Sequence, residues 1–168
     1  VLKLIKTHKL PIRVLLGAWL SAEVNNPKCP WKPKPFTPEK LSAQKIGNGK
    51  EVERLIKLAN QYPEIVAAVA VGNEALVEWN DHMVPVESVM NYVKKVKSKI
   101  KQPVTVADNY DWWARFGKAL AKEVDFVSVH IYPVWEGKTI DEGMSFGVAN
   151  MEAVRKALPD ARLAITEA

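Results

Sequence analysis

Two glutamates in this 168-residue sequence stand where carboxylates are costly unless they are used. Glu74 follows the apolar run 66–71 through Gly72 and Asn73, in the stretch VAVGNEA. Glu167 closes a second apolar run, in LAITEA. A buried strand that finishes on a carboxylate leaves it either as a solvated strand end or as an acid on the rim of a site. Acetal chemistry needs two such groups across one cleft. One attacks the anomeric carbon while the other protonates the leaving oxygen, and they stand about 5–5.5 Å apart when configuration is retained.

The elements that must position them alternate along the chain. Residues 11–20, 64–74, 103–110, 124–133 and 161–168 read as strands, apolar without clean polar alternation and so expected to be covered on both faces. Helical patterns separate them. Residues 48–63 place Val52, Leu55, Ile56 and Ala59 on one face, with Asn48 and Glu51 spaced as a capping box. A second helix starts around Pro85 and runs over 84–100, a short one lies near 112–121, and a third long one covers 139–158 behind the capping-box pair Thr139 and Glu142. Helices between such strands make the sheet parallel, which leaves an α/β doubly wound sheet or a (β/α)₈ barrel. No glycine-rich phosphate loop follows any strand, which weakens the nucleotide-binding version.

In a parallel α/β fold the residues just past the strands share one face. The first strand delivers Trp19, and the second Asn73, Glu74, Glu78 and Trp79. The third delivers Asp108, Asn109, Tyr110, Trp112 and Trp113; the fourth His130, Tyr132 and Trp135; the fifth Glu167. With Trp31 included, all six tryptophans fall at a strand end or in the loop that follows it. Pyranose rings offer C–H faces to aromatics and hydroxyls to carboxylates and amides, so this mixture suits a sugar cleft. Stacking on nucleic-acid bases would want arginines among the aromatics, and only Arg115 lies near.

The bulk numbers set limits. A chain that is 48% hydrophobic and 26% charged is an ordinary globular one. No apolar run approaches the ~20 residues of a membrane span. The net charge of +5 draws on lysines in 93–101 that fall on the face of a helix opposite Val89, Tyr92, Val93, Val96 and Ile100. That is a solvated face rather than a polyanion site. The single cysteine, Cys29, excludes an internal disulfide. His8, His82 and His130 show no metal-ligand spacing, so no metal or cofactor is expected. The stretch 25–40, with Pro27, Pro30, Pro33, Pro35 and Pro38, reads as an extended surface loop. Trp31 and Phe36 could make it a wall of the cleft.

Three motifs in order, VAVGNE, VSVHIYPVWEG and LAITEA, resemble glycoside hydrolase family 17, the β-1,3-glucanases and related transglycosylases, and among them the bacterial members. The resemblance covers most of the chain, from about Leu10 to Ala168. It implies a retaining (β/α)₈ barrel in which Glu74 is the acid/base, Asn73 bonds the substrate's 2-hydroxyl, Glu167 is the nucleophile and Tyr132 is its neighbour. The strands 66–71, 103–107, 124–131 and 162–166 would be the fourth to seventh of eight. Residues 1–168 would then hold one catalytic domain as a partial barrel of about strands three to seven, incomplete at both ends and with bare edges at its first and last strands. The segment by itself would be inactive. His130, Asp108, Asn109, Tyr110, Trp19, Trp79, Trp112 and Trp135 are the expected substrate contacts, with β-glucan as the partner. No nucleic-acid or membrane contact is expected, and an extracellular, periplasmic or cell-envelope setting is implied. Two other readings remain: a retaining barrel glycosidase acting on β-1,4-glucan or mannan, where Ala75 stands in place of a common proline, and a non-catalytic carbohydrate-binding barrel.

Overall fold

Five parallel strands follow one another in space as they do in sequence. They are β1 (Val14–Ala18), β2 (Val66–Asn73), β3 (Val104–Asn109), β4 (Val127–His130) and β5 (Leu163–Glu167), in the sheet order β1-β2-β3-β4-β5. Every crossover steps one strand in the same direction. A doubly wound sheet reverses direction at a switch point, so this arrangement is an arc of a (β/α)₈ barrel. This computed structural model describes residues 1–31 and 34–168; Lys32 and Pro33 of the proline-rich stretch lie outside the described residues.

The helices are α1 (Leu2–Thr7), α2 (Pro38–Gln61), α3 (Val86–Lys97), α4 (Tyr110–Phe116), α5 (Lys118–Ala121) and α6 (Ile140–Ala157), with a 3₁₀ turn at Pro133–Glu136. Val52, Leu55, Ile56 and Ala59 of α2 are buried, as are Val89, Val93 and Val96 of α3. They pack on the outer side of the strands, where each fully buried valine or leucine contributes about 1.5–3 kcal/mol. The lysines of α3 face outward into ion pairs: Lys94 with Glu123, Lys95 with Glu53 and Lys97 with Asp125. Among the described residues no helix is long and apolar enough to cross a membrane.

Two expectations from the sequence are corrected. The helix expected from Asn48 begins at Pro38, capped by the Thr37 side chain, which accepts the Lys40 backbone N–H. Asn48 is no cap. It sits inside the helix and grips the loop after β1, accepting from Ser21 N (2.8 Å) and donating to Ser21 O (2.8 Å) and to Glu23 Oε1 (3.0 Å). Gly47 and Gly49 are poor helix formers, but tertiary bonds to Asn48 hold the helix through them. The second correction concerns burial. The central strands are covered on both faces, but β1 and β5 are only partly covered, and Leu15 and Ile165 are exposed. They are the edges of the arc.

Candidate active site

Glu74 sits on a turn that only certain residues can make. Gly72 has φ +90° and Glu74 itself φ +46°, both in the left-handed region. A Cβ on Gly72 would also meet Leu20 Cδ1 at 3.2 Å. The turn is held at three points. Glu74 N donates to Ala107 O (2.9 Å), the Asn80 side chain donates to Glu74 O, and His82 Nε2 lies 3.0 Å from Asn73 O. Left-handed backbone at a glutamate costs on the order of 1–2 kcal/mol and persists because its surroundings fix it.

From this turn the Glu74 carboxylate meets the end of β4. His130 Nδ1 is 3.2 Å from Glu74 Oε1 and 3.5 Å from Glu167 Oε2. Those two carboxylate oxygens therefore lie no farther apart than the two legs laid end to end. His130 is fully buried, and its Nε2 has no hydrogen-bond partner among the described residues. Tyr132, just past β4, donates its hydroxyl to Glu167 Oε2. That bond, then burial, pushes the Tyr132 phenol up to about 12, so it stays a donor. Pairing of His130 with Glu167 in the β4–β5 ladder fixes this constellation through the backbone.

A cleft of about 690 Å³ opens over Glu74 and Tyr132, lined by these two with Trp31, Trp79, Asn109, Trp135 and Glu136. Trp135 is 82% exposed and Trp31 62% exposed. Exposed indoles beside a carboxylate form a surface that stacks on apolar ring faces and bonds hydroxyls. Trp19 lies on the adjoining rim with its ring 4.7 Å from that of His82. A second hollow of about 730 Å³ opens at the amino ends of the strands beside Arg13, Lys99 and Gln102, away from both glutamates.

Several expected substrate contacts lie elsewhere. Trp112 is buried in the apolar core, edge-on to Trp113 at 5.3 Å, because α4 turns its aromatic face onto the sheet. Asp108 is fully buried under the cleft floor and accepts from Leu76 N (3.0 Å) and Asn109 N (2.8 Å). It therefore braces the loop after Glu74. His130 faces the two carboxylates. Tyr110 begins α4, donates to Glu136 Oε1 (3.2 Å) and packs on Phe146, outside the cleft lining. Asn109 lines the cleft while its Oδ1 caps α4 through Asp111 N. Asn73 is partly buried at the strand end. Phe36 lies in a separate hollow with Asn25 and Pro27.

Sequence reasoning missed Asn80 as the anchor of Glu74 and His82 as the partner of Asn73. Both lie within three residues after Trp79 in the loop after β2, and their polarity was the available signal. Glu136 was missed as a cleft residue.

Similarity to known proteins bears on this geometry. Residues 34–168 match the family model of the BtgE/BtgC glycoside hydrolase domain. No curated protein matches the sequence. An endo-laminarinase from Formosa Hel1_33_131 shares the fold, with a TM-score of 0.74 at 22% identity over 98% of this chain and 52% of its own. A glycoside hydrolase family 17 β-1,3-glucanosyltransferase from Rhizomucor miehei gives 0.69 at 25% identity over 97% and 52%. An active-site mutant of the Rhizomucor enzyme in complex with laminaritriose gives the same values. The chain thus spans about half the length of the solved structures it matches, in keeping with an arc of the barrel. The family 17 resemblance of the three sequence motifs agrees with these neighbours, and the match over residues 34–168 places the chain in the BtgE/BtgC glycoside hydrolase domain family.

Proposed function

We propose that this chain supplies the catalytic half of a retaining β-1,3-glucan-active enzyme that works through a covalent glycosyl-enzyme. The observation that carries the reading is the convergence of Glu74 and Glu167 on a single nitrogen, His130 Nδ1. Inverting enzymes hold their carboxyls about 6.5–9.5 Å apart to admit a water between them, and retaining ones hold them closer. Two legs of 3.2 and 3.5 Å favour the closer arrangement.

In this reading Glu167, aimed by the Tyr132 hydroxyl, attacks the anomeric carbon. Glu74 gives its proton to the departing glycosidic oxygen. Glu74, now a carboxylate, then draws a proton from an incoming water or sugar hydroxyl, which breaks the ester to Glu167 and restores both groups. In the same reading Asn73, next to Glu74 in the chain, bonds the substrate's 2-hydroxyl, and Trp31, Trp79 and Trp135 stack on the glucan. A purely binding barrel has no use for a left-handed glutamate held at three points, which favours catalysis over binding.

The test is to incubate the intact polypeptide that carries residues 1–168 with laminarin and follow product anomers by proton NMR and chain lengths by thin-layer chromatography. First-formed β-anomers are expected, with shorter products for hydrolysis and longer ones for transfer. First-formed α-anomers would overturn retention, and binding without product would favour the carbohydrate-binding alternative. Preferential cleavage of β-1,4-glucan or mannan would overturn the linkage.

A further inference from the structure

His130 holds an unusual position for hydrogen bonding. One ring nitrogen, Nδ1, faces two carboxylates, Glu74 at 3.2 Å and Glu167 at 3.5 Å. The other, Nε2, is buried with no partner among the described residues. A hydrogen on Nε2 would be a buried donor without an acceptor, which costs about 1–3 kcal/mol. A hydrogen on Nδ1 has a bonded acceptor in Glu74 Oε1 and a second carboxylate oxygen, Glu167 Oε2, at 3.5 Å. The hydrogen therefore belongs on Nδ1, and there is only one of it to serve two oxygens. We propose that His130 is a positioning residue whose single Nδ1–H swings between Glu167 and Glu74, following the negative charge as it passes from one to the other in each half of the reaction.

This inference rests on the retaining reading given above. In this structure Nδ1 bonds Glu74 Oε1 at 3.2 Å, with Glu167 Oε2 at 3.5 Å, which is one end of the swing. Once Glu167 is the carboxylate and Glu74 holds a proton, the charge-assisted bond is to Glu167. When Glu167 forms its bond to the anomeric carbon, the bond to the glycosidic oxygen breaks and the Glu74 proton moves to that oxygen. One negative charge has then left Glu167, now an ester, and appeared on Glu74. The Nδ1–H follows it. When water or a sugar hydroxyl adds, its proton goes to Glu74, the ester bond breaks, and the hydrogen bond returns to Glu167. His130 neither gains nor loses a proton at any point.

The surroundings suit a swing of this kind. Glu167 Oε2 keeps the Tyr132 hydroxyl as a second donor, so it is not orphaned when the imidazole turns to Glu74. Asp108, the third acid in this neighbourhood, has both oxygens occupied by the backbone N–H groups of Leu76 and Asn109 and does not compete for the imidazole. The His130 ring is wholly buried at the end of β4. A few degrees of ring rotation change which oxygen is nearer, while larger motion is blocked.

Two measurements on the intact polypeptide test this. The first is nitrogen-15 NMR of the His130 ring, free and after trapping the glycosyl-enzyme with an activated 2-deoxy-2-fluoro-glucoside. The expected result is an Nδ1–H tautomer with bare Nε2 in both states, and a change in the Nδ1–H proton shift on trapping. An Nε2–H tautomer, or an Nδ1–H that is unchanged by a confirmed adduct on Glu167, overturns the inference. The second measurement compares His130→Ala with His130→Asn, whose side-chain amide can reach the Nδ1 position. His130→Ala is expected to lose about 10²–10³-fold in kcat with KM changed less than about threefold, and His130→Asn to recover about tenfold or more of that loss. Equal losses in two variants shown by circular dichroism to be folded overturn the inference. If neither folds, the tautomer measurement on the unaltered protein decides alone. The two readings fail differently: absence of glucan activity overturns the proposed function, whereas an active enzyme with an Nε2–H tautomer overturns only the swing.

Discussion

Burial of Asp108 ties the support under Glu74 to pH. Desolvation pushes its carboxyl up to about 7, against the two backbone N–H bonds that pull it down. An unfolded aspartate titrates near about 3.9. The folded protein therefore holds this proton more tightly. The stabilisation from this group is complete below pH ~3.9 and is lost as pH rises to about 7, amounting to about 4 kcal/mol. Denaturant unfolding is expected to show this group's contribution falling between pH 4 and 7. In Asp108→Asn that part of the slope should vanish, at a cost of about 1–3 kcal/mol because one of the two N–H groups then faces an amide N–H. Identical pH slopes in the two proteins would contradict the assignment. Sequence reasoning placed Asp108 at a strand end but could not tell a floor from a wall, because a carboxylate there looks the same until the loop folds over it.

The elements differ in how far the sequence revealed them. The apolar runs that became β2, β3 and β4 were legible because burial on both faces leaves little freedom in residue type. The edges β1 and β5 read the same way, yet their cover depends on neighbours that no local pattern encodes. The start of α2 was hidden by Gly47 and Gly49, whose low helix propensity is overridden by the bonds of Asn48 to Ser21 and Glu23. Tryptophans in strand-end loops pointed to the cleft, but position alone did not separate Trp112, which α4 buries, from Trp31, which the proline-rich loop presents to the cleft. Substitution should separate them. Trp31→Ala is expected to raise KM for long β-1,3-glucans severalfold, on the order of 1 kcal/mol, with stability unchanged. Trp112→Ala is expected to cost about 3–5 kcal/mol of stability. Thermal unfolding and steady-state kinetics on oligosaccharides of increasing length check both, and an unaltered KM for Trp31→Ala at every length would remove that residue from the cleft.

At the scale of the molecule, an arc of five strands brings both glutamates to one imidazole but leaves β1 and β5 with one side unpaired each among the described residues. Apolar groups lie open beside β5, where Ile165 is exposed and the α6 stripe Ile140, Met144 and Val148 is exposed too. Edges of this kind attract other strands. Residues 1–168 expressed alone are therefore expected to self-associate and to cleave laminarin poorly, because nothing opposite the arc closes the cleft. A soluble monomer of this stretch with full activity, judged by sedimentation and reducing-sugar assay, would show that closure is not needed. The central claim is that Glu167 attacks sugar while Glu74 supplies the proton, and covalent trapping tests it most directly. The intact polypeptide is treated with an activated 2-deoxy-2-fluoro β-1,3-linked glucoside, digested, and mapped by mass spectrometry. The account predicts one fluoroglycosyl group per chain, esterified to Glu167. An adduct on Glu74 or another residue, or no adduct in an enzyme that still cleaves glucan, would contradict it.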